Sequence, residues 1–169
     1  MALAIVYSRA MLGMNAPLVT VETYLSFGMP GFSIVGLPEM VVRESRDRVR
    51  SALLNARFLF PDKRITVNLA PADLPKQGSR FDLPIAIGIL AASGQLPDTD
   101  LAAYEFTGEL ALSGELRTIQ GILPFALKTR QAERHLILPI QNRDEASLVN
   151  GLMVYGANHL LDVCAHFKQ

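Results

Sequence analysis

A single cysteine, Cys164, stands in 169 residues, so no disulfide framework exists and a reducing cytosol is the simplest compartment. Its apolar surroundings mark it as a small buried hydrophobe. No apolar run reaches the roughly 18 residues that a membrane-crossing helix needs. The opening MALAIVYSRA has no basic lead and meets Ser8 and Arg9 too soon for a signal core, so it reads as a strand. A cytoplasmic protein without membrane contact is expected. Neither charge sign is in excess: 16 basic and 16 acidic residues cancel, and no global field advertises a polyanionic partner. The three histidines (His135, His159, His166) show no i,i+4 pairing, and one thiol cannot complete a metal site. Phosphate loops are missing too. Gly31 to Gly36 supplies two glycines, but Leu37-Pro38 follows where lysine and a hydroxyl are required. No cofactor is expected in this domain.

What is present is a core. Half of the residues are hydrophobic, enough for one domain of this length to fold without metal or disulfide staples. Strands are expected at Leu3 to Tyr7, Leu18 to Leu25, Phe32 to Val35, Lys63 to Ala70, Tyr104 to Leu110, Leu116 to Ile119, Leu136 to Leu138 and Met153 to Tyr155. Helices are expected from Glu39 to Arg57, over Ile85 to Ala92, from Gly121 to Arg134, from Asp144 to Val149 and from His159 to Phe167. In the first, Val42, Val49, Ala52, Leu53 and Ala56 form one apolar stripe. The second has no polar face and should be buried all round, with Asp82 as its cap. As a cap, Asp82→Ala should cost about 0.5–2 kcal/mol, and Ile85→Ala about 2–5 kcal/mol. The elements are short, mixed and densely connected, which gives a single α+β domain.

Two features invite chemistry. Lys76-Gln77-Gly78-Ser79-Arg80 places a serine near a lysine, but a Ser–Lys dyad needs a neutral amine, and a polar, exposed loop keeps lysine charged. Loop decoration is the plainer reading. Between Arg43 and Arg64, seven basic residues face three acids. Part of that charge is expected to pair along the helix, Arg43 with Asp47 and Glu44 with Arg48. The rest could supply salt-sensitive phosphate contacts. The candidate DNA-binding residues are Arg43, Arg46, Arg50, Arg57, Lys63, Arg64 and, in the second loop, Lys76 and Arg80. No base-stacking platform is expected among them. Packing against a partner domain or subunit is the alternative use of the same surface.

The run NLAPADLPKQGSRFDLPIAIGILAASGQLP, then FTGELALSGELRTIQGILPFALKTR and HLILPIQNRDEA, resembles the proteolytic domain of the Lon protease. The resemblance implies that domain's fold, a mixed sheet with helices packed on it. It also implies a nucleophilic serine at the start of the buried helix and a lysine at the start of the next. Those positions are occupied by Asp82 and Leu123, neither nucleophile nor base, so no catalytic residue is expected. A closer resemblance covers nearly the whole chain. MALAIVYSRA, GMPGFSIVGLPE, ESRDRVRSALLNA, ITVNLAPADLPK and RFDLPIAIGILAASGQL are similar to the N-terminal domain of the ComM/YifB family, AAA+ ATPases related to magnesium chelatase. This resemblance implies that residues 1–169 are a Lon-like accessory domain. It further implies a P-loop motor downstream holding ATP and magnesium, and a hexameric ring that drives DNA branch migration in natural transformation. The domain's partners would then be its own motor, other copies of itself and DNA. A metalloporphyrin-handling chelatase subunit rests on the family name alone. A peptidase with relocated residues, Ser79 or Ser113 with Lys76 or Lys128, is the enzymatic alternative.

Overall fold

The computed structural model describes residues 2–168. Its strands are β1 (Ala2–Arg9), β2 (Leu18–Ser26), β3 (Gly31–Val35), β4 (Arg64–Ala70), β5 (Tyr104–Phe106), β6 (Glu109–Leu110), β7 (Leu116–Arg117), β8 (His135–Pro139) and β9 (Val154–Ala157). The helices are α1 (Glu39–Asn55), α2 (Asp82–Ala92), α3 (Ile122–Gln131), α4 (Arg143–Ala146) and α5 (Leu160–Phe167). Seven strands form one mixed sheet in the order β3-β4-β2-β1-β5-β8-β9, the expected α+β architecture. β1, β2 and β4 pair antiparallel, whereas β3 and the β5, β8, β9 side join in parallel.

Alternation decides which face is covered. In β2, Val19, Val21, Thr23 and Leu25 point inward, and β4 does the same with Ile65, Val67 and Leu69. α2 lies across them, every one of its residues buried, as its unbroken apolar sequence requires. It lies close. A Cβ on Gly88 would come within 2.4 Å of Thr23 Oγ1, so only glycine lets helix and sheet approach this far. α1 packs beside α2 through the expected stripe, Val42, Val49, Ala52, Leu53 and Ala56, all buried. β8 is buried on both faces, as parallel strands usually are. Ile137 joins the cluster around α2, while Leu136 and Leu138 join a second one with Ile122, Phe125 and Ala146.

Three expectations need correcting. Tyr104 to Leu110 is not one strand. At Thr107-Gly108 the chain leaves the main sheet, and β6 pairs with β7 in a separate ribbon. Asp82 is not a cap: the cap position is Phe81, no side-chain capping bond forms there, and Asp82 is the first residue inside α2. The Lys76 to Arg80 loop is not exposed throughout, since Lys76 is 7% and Arg80 4% exposed. A Cβ on Gly78 would stand 1.8 Å from Val41 Cγ1, so this loop is pressed against the start of α1. No helix among the described residues is long and apolar enough to cross a membrane.

Candidate functional site

The two positions singled out by the Lon resemblance lie at the starts of α2 and α3. Asp82 is fully buried, and four donor contacts close around its carboxylate. Ser45 Oγ donates to Oδ1 at 2.7 Å, Arg48 Nε to Oδ2 at 2.6 Å and Nη2 to Oδ1 at 3.2 Å, and the Leu110 amide to Oδ2 at 3.1 Å. One carboxylate thus ties α1, α2 and the β6–β7 ribbon together. Burial pushes its pKa up to about 6, against the opposing pull of Arg48, Ser45 and the Leu110 amide. Arg48 moves the other way from what burial would dictate: desolvation lowers its pKa, but the bonds and charge of Asp82 outweigh that and raise it. The pair is built for charge compensation. A carboxylate saturated by four donor contacts has no lone pair aimed at a substrate.

Leu123 lies half-buried against the cluster of Ile119, Ile122 and Phe125, where an aliphatic side chain belongs. Of the two candidate lysines of the relocated peptidase, Lys76 and Lys128, the first is also engaged elsewhere. Lys76 Nζ donates to three backbone carbonyls: Pro71 at 2.5 Å, Leu74 at 3.0 Å and Gly36 at 3.2 Å. Desolvation lowers its pKa, with Asp73 opposing. Among the described residues no lysine ammonium bonds a serine hydroxyl. At Ser113 it is the backbone carbonyl that is engaged, by His159 Nε2 at 3.0 Å, while His159 Nδ1 accepts from the Leu161 amide and caps α5. With Nδ1 accepting, Nε2 carries the proton, so this imidazole is a cap and not a base for Ser113.

Gly31 to Gly36 form no phosphate loop, for a reason visible in the sheet. Gly31–Val35 is a strand paired with β4, not a free loop, and the Gly36 backbone is packed against the Leu69 carbonyl. These residues do not fit an ATP–magnesium site. The described residues also contain no grouping of three or more His, Cys, Asp or Glu side chains able to hold a metal.

The eight basic candidates divide by accessibility. Arg43, Arg50, Arg57 and Arg64 are exposed. Arg43, Arg50 and Arg57 recur at seven-residue spacing, and the first two share one flank of α1. Arg46 is partly buried and donates to the Phe32 carbonyl at 3.1 Å, and Lys63 lies 5.2 Å from the Phe27 ring centroid. Arg50 lies over Phe60 at 4.8 Å. Lys76 and Arg80 turn inward and stand apart from the solvent-facing set. Of the two expected helix pairs, Glu44 meets Arg48 at 3.8 Å, whereas no ion pair joins Arg43 to Asp47 among the described residues. Arg48 does most of its bonding with Asp82.

Sequence reasoning passed over the Arg48–Asp82–Ser45 cluster, and a second buried one. Glu105 is fully buried and accepts from Arg9 Nε at 2.6 Å, Arg9 Nη2 at 2.9 Å, Arg134 Nη1 at 3.1 Å and Thr129 Oγ1 at 2.8 Å. It joins β1, β5 and α3. A polar residue breaking an apolar alternation was the available signal: Ser45 interrupts the stripe of α1, and Glu105 sits between aromatic neighbours in YEF.

The family model described as subunit ChlI of Mg-chelatase matches residues 21–142. "Competence protein ComM" of Haemophilus influenzae is 61% identical over 163 residues, 96% of this chain and 32% of that protein. "Uncharacterized protein YifB" of Escherichia coli is 53% identical over 168 residues, 99% of this chain and 33% of that protein. An uncharacterized protein of Mycobacterium tuberculosis is 39% identical over 161 residues, 95% of this chain and 32% of that protein. The chain spans about a third of the length of these relatives.

Proposed function

The chain belongs to the family of the Mg-chelatase subunit ChlI, alongside the ComM and YifB proteins, and from that premise we propose that it is a non-catalytic assembly domain. In this reading it forms the N-terminal part of a cytoplasmic AAA+ ATPase whose hexameric ring remodels DNA by branch migration. ATP and magnesium belong to a motor domain beyond these residues. The domain packs against that motor and against neighbouring copies, and presents the exposed arginines of α1 to DNA. One observation carries the non-catalytic part: the position of a serine nucleophile holds Asp82, locked to Arg48, Ser45 and the Leu110 amide in the interior. A name that ties one relative to competence supports the DNA part.

Phosphate contacts from exposed arginines are salt-sensitive and indifferent to sequence. Reversing Arg43, Arg50 and Arg57 to glutamate in the longer protein should weaken binding to forked DNA by at least about tenfold at low salt, with the salt dependence flattened. Branch migration should fall with it, while ring formation persists. Unchanged DNA binding would remove the α1 face from the reading. Labelling of Ser79 or Ser113 by a serine-reactive phosphonate, lost in the matching alanine variant, would replace it with a peptidase.

A further inference from the structure

Among the described residues each buried side-chain charge is answered from within, with one exception. Arg9 meets Glu105, Arg48 meets Asp82, and Lys76 is ringed by three carbonyls. Arg80 has no such company. It is 4% exposed, its Nη2 donates to the Gln120 carbonyl at 2.6 Å, and the same nitrogen lies 3.7 Å from the Met11 sulfur. Nη1 is sealed from solvent and has no hydrogen-bond partner among the described residues. No carboxylate among the described residues lies within ion-pairing distance of this guanidinium. Desolvation accordingly lowers its pKa with no acid to oppose it. Guanidinium stays protonated in proteins, so it cannot escape by neutralising, and a buried charge without a counter-ion is strongly unfavourable.

Arg80 lines a cleft of about 290 Å³ whose other walls include Gln77, Ser79, Thr118 and Gln120. These side chains offer amide and hydroxyl donors, and none of the lining residues is acidic. The cleft runs between the turn that leads into α2 and the segment that leads into α3. α3 starts at Ile122, immediately beyond Gln120 and Gly121, so the positive end of a ten-residue helix dipole adds to the potential there. Hydroxyls, amides and a guanidinium without a counter-ion thus line one cleft that holds no carboxylate.

We propose that this cleft is an oxyanion-binding site, in which the uncompensated charge of Arg80 behind the wall draws in a carboxylate or phosphate group and Gln77, Ser79 and Thr118 supply it with neutral donors. The occupant is a small free anion or a group of the same chemistry carried on a larger molecule. The site holds whether or not the domain contacts DNA through α1.

Thermal unfolding of the chain with added inorganic phosphate or succinate, against sodium chloride of matched ionic strength, tests the site. At tenfold excess over Kd, Tm should rise by about 3–6 °C above the chloride control. Preference for phosphate or for succinate tells which oxyanion the cleft takes. Gln77→Glu, which places a carboxylate on the cleft wall, should abolish the anion response while raising Tm in chloride. Arg80→Gln should also abolish it. A wild-type response equal to that of chloride overturns the proposal, as does an anion response that survives in both variants.

Discussion

Arg80 and Asp82 stand two residues apart at the mouth of the same helix, both buried, and their surroundings could hardly differ more. Asp82 is held by Arg48, Ser45 and the Leu110 amide; Arg80 has a carbonyl, a thioether and an empty-handed Nη1. The contrast teaches that burial alone does not mark a structural residue. A charge answered from within holds elements together, and a charge left unanswered points to something that arrives from outside.

The contrast can be broken with matched arginine-to-methionine changes. Arg48→Met strands a fully buried carboxylate and should cost about 3–5 kcal/mol in urea unfolding at neutral pH. The loss should shrink in acid, as Asp82 takes up a proton. Ile85→Ala, in the fully buried α2, should cost about 2–5 kcal/mol and calibrates pure packing loss beside it. A far smaller loss at Arg48 than at Ile85 would mean the ion pair is ornamental.

Titration sharpens the same comparison. The folded-state pKa of Asp82, about 6, lies above its ordinary value of 3.8. The native state therefore holds the proton more tightly than the unfolded chain does. The stability this contributes is fully present below about pH 4 and is lost as pH rises through about 6, at most about 3 kcal/mol. Subtracting the Asp82→Asn unfolding curve from that of the wild type, over pH 4 to 7, isolates it; a difference that does not fall across that window contradicts the assignment.

Arg80→Met removes an uncompensated cation and should leave stability in chloride within about 1 kcal/mol of wild type or raise it. A loss as large as that of Arg48→Met would show that the carbonyl of Gln120 is answer enough. The smallest effect is expected on the solvated flank of α1. Arg43→Glu should change unfolding free energy by no more than about 0.5 kcal/mol, read in the same urea series.

Periodicity carried most of the fold. α2 was legible because eleven residues without a polar face can only be buried, and the stripe of α1 because its spacing matches one helical face. Tyr104 to Leu110 misled because alternation continues across Gly108, while the positive φ at that glycine lets the chain leave the sheet. The site was half legible. Motif comparison placed Asp82 and Leu123 where a dyad would be, but reading Asp82 as a cap used only its neighbours in sequence. Its real partners, Ser45 and Arg48, lie 37 and 34 positions away. Lys76 and Arg80 read as surface because loops of that composition usually are. Here the loop is pressed onto α1 and between the segments that open α2 and α3, which only tertiary packing could reveal.

Most direct of all is a double-mutant cycle in urea joining Asp82→Asn and Arg48→Met. If Asp82 serves as a counter-ion between α1 and α2, the paired variant should recover at least about 1.5 kcal/mol relative to the sum of the single changes. Losses that simply add would show that Asp82 and Arg48 act independently, and that the carboxylate in this position has some other purpose.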